Sequence, residues 1–238
     1  MVYTSSSGVL GRRPDGLPAD EQTPPDELVQ RNLYFRSKLE AERVVDQFLS
    51  THDLPVVLIQ PGWMFGPNDQ APTSSGQLIL DLLNRRIPVR FPGYGAPVDA
   101  RDVAAAMITA AERGRSGERY IVGSATVIPF DQLFAMGEEL SGVPVPRLPA
   151  PYWAALGVAY LSEAVGRLTG KPVAAPVEDV HSLRHPQPLN SAKAVRELGA
   201  SFRPFRETLR DELIWFAQHR PALTGTAQAR LLALAPAG

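Results

Sequence analysis

The chain has 238 residues, 44% of them apolar and 21% charged, with 24 Lys and Arg against 25 Asp and Glu for a formal net charge of −1. That length can bury a sizeable core without disulfides or metal, the composition excludes disorder, and the balanced charge supplies no basic field for nucleic acid. There is no cysteine, which excludes disulfide frameworks, thiolate zinc, iron–sulfur clusters and thiol catalysis. No apolar run reaches membrane-spanning length and no signal-peptide pattern is present, so the expectation is a cytoplasmic protein.

Val2-Tyr3-Thr4 is a short β-prone segment that runs into Ser5-Ser6-Ser7-Gly8. This is the pattern of a buried parallel strand leaving into a loop. Residues 12–30 are polar, without apolar period, and read as a surface loop. The strongest helix pattern spans 31–51, where Leu33, Phe35, Leu39, Val44, Val45 and Phe48 supply a broad apolar face. Residues 54–60 form a continuous apolar run, a buried strand broken by Pro61-Gly62. Strand, helix and strand in this order give a right-handed βαβ unit, with 2–4 and 55–59 adjacent in a parallel sheet. Further on, 77–85, 102–113, 130–140, 151–169 and 205–218 read as helices, and 89–91 and 120–122 as short strands. Asn190 or Ser191 caps a short helix ending at Leu198, with Gly199 as its stop. The tail from Pro221 is Ala-rich and reads as a frayed helix.

Three features of this layout can carry chemistry. Tyr34 and Lys38 are four apart in the first turns of the best helix and project from one face, about 6 Å apart along the axis. A phenol titrates near pH ~10, and an ammonium beside a phenol favours the phenolate. Such a pair can exchange a proton with a substrate oxygen. The basic residues are 21 Arg and three Lys, so a Lys at this spacing carries weight. The run Ser5-Ser6-Ser7 leaves a parallel strand at its C-terminal end, where α/β sheets hold ligands. Pro61-Gly62-Trp63-Met64-Phe65-Gly66-Pro67 leaves the next strand, and its backbone N–H groups can hold a cofactor amide. Other positions favour plainer roles. His181 and His185 are four apart but have no third ligand nearby. Asp99 and Asp102 fit a helix start. The apolar stretch 151–169 fits a pocket wall or a dimer face.

Taken together these segments resemble the extended and atypical short-chain dehydrogenase/reductases, which include NAD-dependent epimerase/dehydratases and dihydroflavonol-reductase-like proteins. The resemblance runs from Val2 to Gly11, through Tyr34-Phe35-Arg36-Ser37-Lys38 and Gln60 to Pro67, to Val98-Asp99-Ala100-Arg101-Asp102-Val103-Ala104, 117–123 and 190–199. It implies an α/β fold, a partial Rossmann-like parallel sheet over 1–125, with substrate-domain segments mixed in from about 62. A mainly helical substrate-binding portion would span 126–220 and a tail 221–238. It implies Ser6 as the residue on the substrate carbonyl, with Ser5 and Ser7 as neighbouring alternatives, Tyr34 as acid/base, and Lys38 on the nicotinamide ribose. Pro61, Gly62, Trp63 and Met64 would line the nicotinamide site. The expected cofactor is NAD or NADP, and the expected partners are a small-molecule substrate and a second copy of the chain in a homodimer. The expected reaction is reduction or epimerisation at a carbon bearing OH or C=O. The Gly-rich strand–turn–helix that receives the pyrophosphate in this family has no counterpart in residues 1–238. Gly93-Tyr94-Gly95 lacks a third glycine. The rival expectation is a truncated, non-catalytic remnant or interaction module that binds NAD(P) weakly or not at all alone.

Overall fold

A computed structural model describes residues 1–170, 176–185, 187–220 and 225–235. In chain order the elements are β1 (Val2–Thr4), α1 (Glu27–Arg31), α2 (Leu33–Leu49), β2 (Val57–Pro61), β3 (Trp63–Phe65), α3 (Ser74–Leu83), β4 (Tyr94–Gly95), β5 (Pro97–Asp99), α4 (Ala100–Arg113) and β6 (Arg119–Val122). They continue with β7 (Ile128–Pro129), α5 (Phe130–Ser141), α6 (Tyr152–Thr169), α7 (Val177–Arg184), α8 (Ala192–Leu198), α9 (Phe205–His219) and α10 (Thr226–Ala233). The chain divides into two compact units. One is Met1–Trp63 with Gly95–Val127 and His185–Phe202, and the other is Met64–Tyr94 with Ile128–Arg184 and Arg203–Gly238.

The first unit is built on a parallel sheet in the order β1-β2-β6. Thr4 pairs with Ile59, and Ile59 with Tyr120. The middle strand is Val57–Pro61, and all its residues are buried, as a strand covered on both faces requires. The run expected over 54–60 is shifted, with Leu54 exposed outside the strand and Pro61 ending it from within. On one face Val57, Ile59, Tyr120 and Val122 pack against Val103, Ala106 and Ala110 of α4 and Ala194 and Leu198 of α8. The other face carries α2, and there Ile121 packs with Val9, Leu10, Ala19 and Leu189. At the start of α8, Asn190 Oδ1 accepts the Ala192 N–H at 3.1 Å. Ser191 turns to Gly123 instead, accepting its N–H at 3.0 Å and donating to its carbonyl at 2.7 Å. Gly199 ends the helix at φ +68°, a conformation glycine adopts at low cost.

The second unit is helical, with Ile79, Leu82, Phe130, Leu133, Phe134, Leu213 and Phe216 buried. Phe91 meets Phe130 and Phe134 edge-on, with ring centroids 5.4 and 5.6 Å apart. No helix among the described residues is long and apolar enough to cross a membrane.

Four expectations need correction. Residues 89–91 form no strand. Arg90 makes an isolated bridge, donating to Leu148 O and accepting from Ala150 N–H. Pro88 and Pro92 flank it and cannot donate to a ladder. The loop over 12–30 contains α1, whose N-terminus is capped by Asp26 accepting the Val29 N–H. The single helix over 31–51 is two helices with Asn32 between them. Finally, only part of the apolar face assigned to that helix meets the core: Leu39 packs against Ile121 and its neighbours, and Phe35 lies over Gly8. Leu33, Val44 and Phe48 are exposed, and the buried residue of α2 is Glu42. In the tail, α10 covers Thr226–Ala233, while Pro221 lies outside the described residues.

Candidate active site

Asn32 sets where the second helix begins. Its N–H donates to Leu28 O at 2.9 Å, closing α1. Its Oδ1 accepts from the N–H groups of Tyr34 and Phe35 at 3.0 and 3.1 Å, opening α2. A side chain that substitutes for a turn of backbone bonds allows the chain to change direction there. Tyr34 therefore stands on the first turn of α2, 56% exposed, with its hydroxyl free of hydrogen bonds to described residues. Lys38, one turn later and half-buried, reaches back to β1, where its Nζ donates to Thr4 O at 3.5 Å.

The Ser loop follows directly from β1. Ser5 N–H donates to Ile59 O at 2.8 Å, extending the β1–β2 ladder by one bond. Ser6 opens a short 3-10 turn over Ser7–Val9, and its Oγ accepts the Gly8 N–H at 3.1 Å. Because Ser6 accepts in that bond, its hydroxyl proton remains available for donation. Ser5 Oγ is buried and without a partner. Gly8 lies under the ring of Phe35, so close that a Cβ there would stand 2.3 Å from Phe35 Cδ1. The Ser loop and the first turn of α2 thus meet through Gly8 and Phe35. A Gly8→Ala variant should lose about 1–3 kcal/mol by overpacking, and Phe35→Leu in the same chain should recover part of it. Chemical denaturation of the two single variants and the double variant measures this.

The loop after β2 differs from the expectation. Gly62 N–H donates to Val122 O at 3.0 Å and Trp63 N–H to Ala96 O at 3.1 Å. Neither is a free donor for a cofactor amide. The space beside Gly62 is taken by the chain itself, since a Cβ there would stand 2.9 Å from Ala96 O and 3.4 Å from Gly123 Cα. The Trp63 ring lies on Gly95, 2.4 Å from where a Cβ would be. Pro61 is the buried last residue of β2. Met64 is exposed and counted with the second unit, where its carbonyl accepts from Ser75 Oγ at 2.6 Å.

A buried polar seam lies beneath α2. Glu42 Oε1 accepts from Gln60 Nε2 at 2.9 Å, and its Oε2 accepts from Arg119 Nε at 2.9 Å. Arg119 also donates to both carboxylate oxygens of Asp46. Partial burial alone would lower the Arg119 pKa, but the bonds to Asp46 and Glu42 outweigh it and hold the guanidinium above its ordinary value. Sequence reasoning missed Glu42 and Gln60. The signal was there in the fourfold spacing of Lys38, Glu42 and Asp46 along one helix.

The remaining polar candidates have structural partners. His181 Nδ1 and Tyr152 Oη are hydrogen-bonded at 2.6 Å, and Arg184 stacks on the Tyr152 ring at 4.5 Å. Asp99 caps α4, accepting the Arg101 N–H at 2.8 Å. Asp102 lies buried in the first turn of α4.

Residues 1–123 match the NAD dependent epimerase/dehydratase family. A provisionally named dihydroflavonol 4-reductase of Synechocystis sp. is 32% identical over 224 residues, covering 92% of this chain and 64% of its own length. Sterol demethylase protein B of Methylococcus capsulatus is 32% identical over 225 residues, covering 92% of this chain and 66% of its own length. The chain thus spans just under two thirds of the length of these curated relatives. Among solved structures, a nucleoside-diphosphate-sugar epimerase from Pseudomonas aeruginosa superposes with a TM-score of 0.72 at 27% identity, covering 94% of this chain and 68% of that one.

Proposed function

The chain belongs to the NAD dependent epimerase/dehydratase family, and from that premise we propose that it serves NAD(P)-dependent reduction or epimerisation at a substrate carbon bearing OH or C=O. The observation that carries this reading is the side-chain set at the C-terminal end of β1 and the start of α2. It comprises a Ser6 hydroxyl with its proton to give, the exposed Tyr34 phenol, and Lys38 one turn away tied to Thr4 O. In the proposed roles Ser6 donates to the substrate oxygen and Tyr34 exchanges a proton with it. Lys38 holds a ribose hydroxyl. When bound, NAD(P) supplies or accepts the hydride.

The donor set fits the nicotinamide-ribose end of such a cofactor: an ammonium for a diol, with hydroxyl donors beside it, and an orphaned buried hydroxyl at Ser5. Pro61, Gly62 and Trp63 would serve as a wall, because the N–H groups of Gly62 and Trp63 are already engaged. The relatives' names, a dihydroflavonol reductase and a sterol-processing protein, support a small-molecule substrate and favour a reductase over an epimerase.

A second reading is a module without turnover of its own. The observation behind it is that residues 1–238 contain no G-x-G-x-x-G turn to cradle a pyrophosphate. Titration of the chain with nicotinamide mononucleotide, NAD(H), NADP(H) and ADP-ribose, followed by NMR, separates the two. The enzyme reading expects the mononucleotide to bind about as well as the dinucleotides. It also expects Lys38→Met to weaken both by roughly tenfold or more, the loss of a charge-assisted hydrogen bond of ~1.5–3 kcal/mol. Binding of ADP-ribose alone, or binding indifferent to Lys38→Met, would overturn the assigned site. No binding of any of the four supports the module.

A further inference from the structure

The helix that carries Tyr34 and Lys38 is tied to the sheet by polar bonds at every strand it meets. Its fully buried residue is an acid, Glu42, while its apolar side chains are exposed or half-buried. Lys38 bonds the carbonyl of Thr4 on β1. Glu42 bonds Gln60 on β2. Glu42 and Asp46 together hold Arg119 on β6. The sheet order is β1-β2-β6, so the spacing Lys38, Glu42, Asp46 crosses the strands in turn, with Glu42 tied to both β2 and β6.

Stability alone is a poor account of this arrangement. Taking a carboxylate out of water costs several kcal/mol, and apolar residues of similar size often serve a fold as well or better. The better-attested use of a buried ionic group is to select one register among several. Apolar contacts tolerate a helix sliding or turning slightly, whereas Glu42 loses both of its partners if α2 shifts by even one residue, a rise of 1.5 Å.

Gln60 extends the seam toward the Ser loop. Ser5 and Gln60 each follow one residue after the paired Thr4 and Ile59. Val2 and Thr4 contact the α4 side of the sheet, so alternation turns Ser5 to the α2 side. There Ser5 Oγ and Gln60 Oε1 are both buried without partners.

We propose that Glu42 and Gln60 are positioning residues: they fix the register of α2 on the sheet and thereby hold Lys38, and with it Tyr34, against the Ser5–Ser7 loop. The inference rests on the reading of Tyr34 and Lys38 as site residues. A misplacement of about 1 Å at a reacting group can cost roughly 10²-fold in rate, so the register matters even where the fold survives its loss.

The experiment uses the lysines. There are three in the chain, and reductive methylation with carbon-13 keeps their charge. It gives Lys38 its own resonance, assigned by its loss in Lys38→Arg. Glu42→Gln and Gln60→Met should each move that resonance. Val57→Ala, buried on the opposite face of the same strand, should lower stability and leave it in place. Gln60→Glu sets two carboxylates against each other and should move it further. Combining it with Glu42→Gln exchanges acid and amide across one contact and should bring the resonance back toward its original position. A Lys38 resonance unmoved in both folded single variants would overturn the proposal, as would an equal movement in Val57→Ala. If Glu42→Gln fails to fold, Gln60→Met reads the same signal. The readout needs no turnover, so an unmoved resonance overturns the positioning role alone. A Tyr34→Phe variant with unchanged turnover would instead overturn the site assignment beneath it.

Discussion

Tyr34→Phe should lower turnover by roughly 10²–10⁴-fold, the usual contribution of a positioned acid/base, while leaving stability within about 0.5 kcal/mol of the parent. The second half follows from the surroundings of the side chain. Tyr34 is 56% exposed and its hydroxyl bonds no described residue, so phenylalanine removes no intramolecular partner and opens no cavity. Its ring contact with Phe35, centroids 5.8 Å apart, is kept. A loss of rate therefore cannot be assigned to unfolding. The measurement is nicotinamide absorbance during turnover of a carbonyl substrate, beside thermal unfolding of both proteins. Equal rates would remove Tyr34 from the chemistry and leave its spacing from Lys38 without catalytic meaning.

The sequence carried the strand pattern of the first unit better than its helix faces. The run at 54–60 read as a covered strand, and Val57–Pro61 is one, with Leu58 and Ile59 completely buried in the middle of the sheet and Leu54 exposed before it. Helical periodicity, by contrast, tells which side chains align but not which aligned face a sheet will cover. Along α2 the apolar alignment and the polar alignment Lys38, Glu42, Asp46 compete, and the sheet offers Gln60 and Arg119 to the polar one. Asn32 was invisible for a related reason. An apolar period passes over a residue whose side chain ends one helix and starts the next. Tyr34 and Lys38 could be singled out because their spacing lies within one element, and α2 carries both. Gly62 was misread because close backbone approach has two causes, a ligand or the chain itself. Here Ala96, Gly123 and Leu189 take the space.

The same contrast predicts opposite outcomes for two aliphatic truncations. Ile59→Ala should cost about 2–5 kcal/mol, whereas Val44→Ala should stay within about 0.5 kcal/mol of the parent. Ile59 has no exposed surface and is paired on both sides, with Thr4 and with Tyr120. It packs in the cluster with Val103, Ala106 and Ala110 of α4. Removing its branched chain leaves a cavity between a central strand and a helix that are each held by other contacts and can collapse only partly. Val44 is 65% exposed, and its loss gives up almost no buried area. It trades a residue of modest helix propensity for the best one, which pushes the effect toward zero or slightly stabilising. Urea unfolding of both variants with the slope m shared decides it. A large loss at Val44 would mean that the apolar side of α2 is covered in solution. In that case the polar seam at Glu42 would no longer be the principal hold on the helix that carries Tyr34 and Lys38.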